Sequence, residues 1–185
     1  MSLPATLVEA LGKAERLYDR AAIEAAIVRM GLELDVLLAG ERAVFLTVMN
    51  GALMFAGALA LAVRTDLEFD YLHATRYRGA THGGELHWLR RPVVGLGGRT
   101  VILADDILDE GHTLAAVRDA CRAAGARRVL IAALCVKRHD RCVPGIAADV
   151  SGVVVPDRYV FGYGMDFQEQ GRNLPAIYGL PEEGA

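Results

Sequence analysis

The chain has 185 residues, a length that fits one domain burying roughly 70% of the surface of its unfolded form. Hydrophobic residues make up 53% of it and charged residues 23%, which excludes a disordered chain and is typical of a globular α/β protein. The net charge of −3 and the isoelectric point near 5.9 argue against a dedicated nucleic-acid-binding protein.

The cysteines and the N-terminus indicate a reducing compartment. Cys121, Cys135 and Cys142 are odd in number and form no C-x-x-C pair, and two of them lie in apolar runs. The first residues, M-S-L-P-A-T-L-V-E-A, have no basic region and become acidic at Glu9, so we expect no signal peptide. These features predict a cytoplasmic protein with reduced cysteines.

Residues 4–40 are predicted to be helical, with Asp19 as an N-cap and Gly40 at the end. The segment 44–63 carries no charge over 20 residues and is long enough to span a membrane. However, Asn50-Gly51 lies at its middle, after a β-rich run and before an alanine-rich one. We therefore predict a buried strand over 44–49, a turn and a buried helix, and no membrane span.

Residues 68–73 form the next predicted strand, which leads into A-T-R-Y-R-G-A-T-H-G-G-E-L-H-W. This stretch is polar and rich in glycine, as exposed connections and hairpin loops are.

The stretch 101–114, V-I-L-A-D-D-I-L-D-E-G-H-T-L, contains the pattern on which the functional prediction depends. Its first four residues are apolar and predict a buried parallel strand over 101–104. Four acidic residues follow, and because burying carboxylates is costly we expect them at the edge of the sheet, facing a ligand: Asp105, Asp106, Asp109 and Glu110.

A tight turn at Gly111 and a helix are predicted next. Thr113 can cap this helix, and apolar residues recur at helical spacing until Gly125 ends it: Leu114, Val117, Cys121 and Ala124. Backbone N–H groups at a helix N-terminus bind phosphate, and carboxylates suit sugar hydroxyls or Mg²⁺-bound pyrophosphate. A sugar phosphate is therefore the predicted ligand. A Walker loop is excluded, because Gly111-His112-Thr113 lacks lysine and Asp106 stands where the first glycine would be.

Two more segments complete the pattern. Residues 129–136 form a β-rich run that ends in Lys137-Arg138, and residues 152–156 form a last short strand. The block P-D-R-Y-V-F-G-Y-G-M-D-F-Q-E-Q-G-R-N-L-P follows this strand.

Two acidic residues, two apolar residues and then Asp-x-Gly-x-Thr closely resemble the phosphoribosyl pyrophosphate (PRPP) loop of type I phosphoribosyltransferases. From about residue 18 to residue 180, the chain resembles hypoxanthine-guanine phosphoribosyltransferase. The resemblance implies an α/β fold whose central, mainly parallel sheet is flanked by helices. It implies one domain over 1–185, with a core over about 18–150, a flexible arm over about 74–90 and a small hood formed by the N- and C-terminal segments, the purine-binding part covering about 151–180.

The resemblance implies specific roles for residues of the acidic turn. Asp109 would be the catalytic residue, facing N7 of the purine as a general base or as an electrostatic partner of its proton. Asp105 and Asp106 would bind the ribose hydroxyls directly or through Mg²⁺. The PRPP and phosphate-binding set would also include the following residues: Asp109, Glu110, Gly111, His112, Thr113, Asn50, Gly51 and Arg172.

Lys137 would donate a hydrogen bond to the exocyclic oxygen at position 6 of the purine, and Tyr159 would stack on the base. The purine-binding set would be completed by Ile107, Val160 and Asp166. The metal ligands would be Asp105, Asp106 and Asp166, and the arm would contribute Arg76 and Tyr77. Three positions depart from the familiar pattern: Asn50 replaces a lysine, Arg76 a serine and Glu110 a threonine. We expect Glu110 to face solvent, because a carboxylate beside phosphate is repulsive.

The implied reaction transfers the phosphoribosyl group of PRPP to hypoxanthine or guanine with Mg²⁺ as cofactor and releases pyrophosphate, in a homodimer or homotetramer. Two alternatives remain open. One is a transferase that prefers xanthine. The other is a PRPP-sensing regulator that binds nucleic acid through a basic face made of Arg122, Arg127, Arg128, Arg138 and Arg141.

Overall fold

The computed structural model describes residues 4–76 and 86–181. In chain order the elements are α1 (Leu7–Lys13), β1 (Glu15–Tyr18), α2 (Arg20–Leu38), β2 (Ala43–Met49), α3 (Leu53–Ala62), β3 (Leu67–Arg76), β4 (Leu86–Arg90), β5 (Thr100–Leu108), α4 (His112–Ala123), β6 (Arg128–Lys137), β7 (Val150–Val155), β8 (Val160–Phe161) and β9 (Ile177–Gly179).

The main sheet has the strand order β4-β3-β2-β5-β6-β7, and every neighbouring pair is parallel except β3 with β4. Its central strand β5 is apolar because both of its faces are covered. Ile102 and Ala104 pack with residues of α2 and α3, whereas Val101 and Leu103 pack with residues of α4. The predicted sheet flanked by helices is therefore confirmed.

The N-terminal region differs from the continuous helix predicted over residues 4–40, because β1 separates α1 from α2. Asp19 does cap α2, since its carboxylate accepts a hydrogen bond from the amide of Ala22. β1 forms because it pairs with β9 near the other end of the chain, an interaction that local helical spacing does not reveal.

β1, β9 and β8 form a small antiparallel sheet, so the N- and C-terminal segments do join in the expected hood. The strand predicted at 152–156 is β7, but it is not the last, because β8 and β9 follow it. The two late strands are short, and their pairing partners are again distant in sequence.

The uncharged segment 44–63 folds as β2, a turn and α3, as predicted. Among the described residues, no helix combines the length and the apolar character needed to cross a membrane. The expectation of a buried α3 is correct for one face only: Phe55 and Leu59 are buried, whereas Leu61 is 91% exposed. Because β2, β5 and β6 are parallel neighbours, their C-terminal ends at Met49, Leu108 and Lys137 lie along one edge of the sheet.

Candidate active site

The acidic residues begin inside the central strand. β5 keeps pairing with β6 as far as Leu108, so Asp105 and Asp106 lie within the strand and not beyond it. Asp105 is buried, contrary to our expectation that these carboxylates would avoid burial. Its Oδ1 accepts a hydrogen bond from the amide of Asp106 at 3.0 Å. Burial, followed by the negative charge of Asp106, raises the pKa of Asp105 well above its ordinary value.

Asp106 lies where β5 meets two glycines of other segments, Gly51 and Gly164, and neither glycine position has room for a side chain. A Cβ atom on Gly51 would overlap the Asp106 carboxylate, and one on Gly164 would overlap the carbonyl oxygen of Gly51. Gly164 and Arg172 exchange two hydrogen bonds, one of 3.0 Å from the guanidinium and one of 2.8 Å between main-chain atoms. Burial raises the pKa of Asp106, although the positive charge of Arg172 opposes this rise.

This arrangement brings the predicted pyrophosphate-binding residues Gly51 and Arg172 to the acidic strand. Asn50 precedes Gly51, is exposed, and is joined to Met49 by a cis peptide bond. Gly164 was not among the predicted site residues, although the G-Y-G of the C-terminal block is a sequence signal for close backbone approach. In the structure its φ is 105°.

Asp109 lies at the start of the turn and contacts two side chains, one at the end of β6 and one in the turn that follows β6. Lys137 Nζ lies 2.7 Å from Asp109 Oδ2, and His139 Nε2 lies 2.6 Å from Oδ1. Burial would raise the pKa of Asp109, but the hydrogen bonds from Lys137 and His139 outweigh it and hold that pKa below its ordinary value. The structure thus joins the two residues predicted to act on the base, and adds His139, which the sequence analysis missed.

The turn predicted to bind phosphate has a different helix cap from the one expected. α4 begins at His112, and its N-cap is Gly111 in the left-handed conformation (φ 78°), so Thr113 lies in the first turn and does not cap the helix. Only glycine fits well there, because a Cβ would meet Ile146 at 2.8 Å. Within the described residues, no side-chain hydrogen bond caps this helix, and uncapped amides at a helix N-terminus are the groups that bind anions.

Glu110 is exposed beside this turn, and its carboxylate lies 3.5 Å from His112 Nε2. Leu114, Val117 and Cys121 form the buried face of α4 as predicted, whereas Ala124 is the exposed C-cap.

The C-terminal block folds Asp166 onto Arg172. Their side chains form an ion pair of 2.9 Å, and Asp166 also accepts a hydrogen bond from the amide of Glu169. The Tyr159 hydroxyl donates to the carbonyl of Asp166 at 3.1 Å, and its ring packs edge-on against Phe167. Tyr159 is 36% exposed, so part of its ring faces outward.

Val160 is buried in β8, and Ile107 is partly buried in β5. Tyr77 lies outside the described residues, as does most of the arm predicted over 74–90. Arg76 ends β3, whose last residues pair with the start of β4.

Within residues 4–76 and 86–181, no cluster of three or more histidine, cysteine, aspartate or glutamate side chains is placed to hold a metal ion by itself.

Comparison with known proteins identifies the class to which this fold and site belong. The family model described as the phosphoribosyl transferase domain matches residues 13–169. The chain therefore belongs to the phosphoribosyltransferase family.

Within that family, the chain is similar to hypoxanthine-guanine phosphoribosyltransferases. It is 33% identical over 162 residues to the enzyme of that name from Streptococcus pneumoniae, which covers 87% of this chain and 89% of the relative. A hypoxanthine phosphoribosyltransferase structure from Staphylococcus aureus has a TM-score of 0.86 at 26% identity, covering 96% and 97% of the two chains. A hypoxanthine-guanine-xanthine phosphoribosyltransferase structure has a TM-score of 0.81 at 27% identity, covering 91% and 97%. The resemblance and the fold inferred from sequence are thereby confirmed.

Proposed function

We propose that this chain transfers the 5-phosphoribosyl group of PRPP to N9 of hypoxanthine or guanine, giving IMP or GMP and pyrophosphate. The observation that carries the proposal is the pairing of Asp109 with Lys137 at the sheet edge, where Asp109 directly follows the acidic strand β5. The two side chains proposed to act on the purine are thereby adjacent in a member of the phosphoribosyltransferase family.

In this reaction the bond between C1′ and the pyrophosphate oxygen breaks, the C1′–N9 bond forms, and the purine loses a proton. Positive charge develops on the ribose ring as the leaving group departs, so negative groups nearby stabilise the transition state. Asp105 and Asp106 would hold the ribose hydroxyls. Asp109 is ionised at neutral pH, since its pKa is not raised, and would take the proton from N7 or stabilise it electrostatically.

The choice of base follows from hydrogen-bonding chemistry. The Lys137 ammonium only donates, so it favours the oxo group of hypoxanthine or guanine and cannot accept from the amino group of adenine. Tyr159 would stack on the ring, with Ile107, Asp166 and the main chain of Val160 around the base.

The two phosphate ends of PRPP would be bound at different places. Amides of residues 109–113, from Asp109 through Gly111 and His112 to Thr113, would receive the 5′-phosphate, with the Thr113 hydroxyl assisting. Glu110 would contribute its amide while its exposed carboxylate points away. The leaving pyrophosphate would lie against Asn50, Gly51 and Arg172, whose guanidinium can make paired, charge-assisted hydrogen bonds.

Mg²⁺ fits this set of residues. It is usually held by one or two carboxylates together with waters and substrate phosphates, so a complete protein cluster is not required. Asp105 and Asp106 would hold one ion and Asp166 a second, and the ions would neutralise charge on the pyrophosphate.

Three further properties are part of the proposal. The arm over 74–90, with Arg76 and Tyr77, would close over PRPP and exclude water, the competing nucleophile. The single domain would work in the cytoplasm, which agrees with three free cysteines, of which Cys121 has its pKa raised by burial to about 11. It would form a homodimer or homotetramer, which agrees with exposed apolar side chains on α3 such as Leu53 and Leu61.

The test is a turnover assay with PRPP, MgCl₂ and one of four bases. IMP and GMP should form from hypoxanthine and guanine, and adenine should give no nucleotide. Specificity constants for hypoxanthine, guanine and xanthine would separate this proposal from a xanthine-preferring enzyme. Absence of nucleotide with every base would refute the proposal.

The nucleic-acid-binding alternative gains no support from the comparisons, and two arginines of its proposed basic face pair with carboxylates. Arg127 pairs with Glu41, and Arg141 makes two contacts of 2.7 and 2.8 Å with Asp157. A salt-dependent binding titration with RNA and duplex DNA would test this alternative directly.

A further inference from the structure

His139 is a buried histidine that the proposed reaction does not use. Its side chain is 3% exposed, compared with 41% for Asp109 and 13% for Lys137. The imidazole therefore lies on the protein side of the Asp109 carboxylate, and the carboxylate itself remains open on its other side.

The hydrogen on the His139 ring is assigned by its two contacts. The amide of Arg141 donates to Nδ1 at 3.1 Å, so Nδ1 is an acceptor and carries no hydrogen. The neutral ring then carries its hydrogen on Nε2, which donates to Asp109 Oδ1 at 2.6 Å. The turn that follows β6 thus fixes both the orientation and the tautomer of His139.

The two partners of Asp109 differ in how firmly they are held. Lys137 is a flexible side chain, and the proposed function requires its ammonium to turn toward the purine. If Lys137 were the sole partner, Asp109 would lose its orientation at the moment when it must face N7. His139 contacts the other carboxylate oxygen and is enclosed by protein, so it can keep Asp109 in place during that exchange.

We propose that His139 is a positioning residue, which holds Oδ1 of Asp109 through its Nε2–H so that Oδ2 can pass from Lys137 to the substrate. This inference rests on the proposed function. The other charged groups nearby are Glu110, on the same turn as Asp109, and Arg141, which pairs with Asp157.

The kinetic test compares two substitutions with a control. His139→Leu removes the donor and keeps a side chain of similar size, whereas His139→Gln can place an N–H group near the position of Nε2. Asp140→Asn, at an exposed neighbouring carboxylate, is the control. For each protein we would measure kcat, the KM values for PRPP and hypoxanthine, the pH profile of kcat/KM and thermal unfolding.

His139→Leu should lower kcat by about 10- to 100-fold, the range for a charge-assisted hydrogen bond, and leave the KM for PRPP within about twofold. The acid limb of kcat/KM should move to higher pH, because the ionised form of Asp109 loses a donor. His139→Gln should restore both properties, and the control should match the parent. A folded His139→Leu protein with the parent kcat and pH profile would overturn the proposal, as would a folded His139→Gln protein no better than His139→Leu.

A second measurement observes the imidazole of the parent protein itself. In the ¹⁵N-histidine spectrum of the parent protein, assigned against His139→Gln, His139 should be neutral with its hydrogen on Nε2, and this hydrogen bond should persist when IMP binds. A hydrogen on Nδ1, or loss of the Nε2 hydrogen bond with IMP, would overturn the inference.

The two levels of the proposal fail differently. A parent protein with no turnover on any base refutes the proposed function and this inference with it. An active parent whose His139→Leu variant keeps full activity and the same pH profile refutes the inference alone.

Discussion

Replacing Asp109 with asparagine tests the centre of the site with the smallest change of shape. In the parent protein both neighbours donate, Lys137 at 2.7 Å and His139 at 2.6 Å. Asparagine has one acceptor oxygen and one NH₂ group, so one of the two contacts would bring a donor against a donor. The variant also loses the negative charge that the proposed proton transfer requires.

The expected effect on turnover follows from the role of a positioned base. Asp109→Asn should lower kcat by about 10²–10⁴, which corresponds to about 3–5 kcal/mol of activation free energy. The free energy of unfolding should fall by much less, about 1–2 kcal/mol, because Asp109 is partly exposed and the fold does not depend on it.

The assay is initial-rate formation of IMP from hypoxanthine and PRPP with MgCl₂, together with thermal unfolding of each protein. Asp140→Asn is the matched control, since it removes an exposed carboxylate from the neighbouring turn. A folded Asp109→Asn protein whose kcat stays within about threefold of the parent would refute the role given to Asp109.

Other regions give three more predictions. Gly164→Ala should abolish turnover or destabilise the fold by more than about 2 kcal/mol, because φ is 105° there and the new Cβ would overlap the Gly51 carbonyl. The control is Gly57→Ala on the exposed face of α3, which should be neutral or stabilising because no atom lies within 4 Å of its new Cβ. Equal effects of the two substitutions in activity and denaturation assays would contradict this. Asp70→Asn should lower the free energy of unfolding by about 2 kcal/mol at pH 7, because backbone and Arg90 hydrogen bonds overcome the effect of burial and lower the Asp70 pKa to about 2. Since this folded-state pKa lies below the ordinary 3.8, the difference from the parent should shrink as pH falls from about 4 to about 2, and a constant difference in urea unfolding would be the adverse result. Asp105→Asn should raise the free energy of unfolding of the ligand-free protein by about 0.5–2 kcal/mol at pH 7, because it removes a buried carboxylate whose pKa is raised. The same substitution should weaken PRPP binding measured by calorimetry, and an unchanged affinity would count against the ribose-binding role.

The parts of the fold predicted from sequence are those whose causes are local or periodic. An apolar run with no polar positions indicated that β5 is covered on both faces, and the side chain of Asp19 does cap α2. The meeting of strand ends followed from the parallel topology, because such strands place their carboxyl ends at one edge.

The parts that were missed depend on contacts between distant segments. β1 is a strand because β9 pairs with it, and Asp105 is buried because the ladder with β6 continues past the apolar run. Gly111 takes the cap position assigned to Thr113 because its left-handed conformation starts α4 two residues earlier. His139 could be noticed as a histidine two residues after Lys137, but its contact with Asp109 depends on how the following turn folds back.

The most direct test of the central claim is a crystal structure of the protein with PRPP and Mg²⁺. The ribose hydroxyls should lie at Asp105 and Asp106, with the 5′-phosphate on the amides of residues 109–113 and the pyrophosphate beside Gly51 and Arg172. PRPP bound elsewhere, with the turn after β5 empty, would contradict the account.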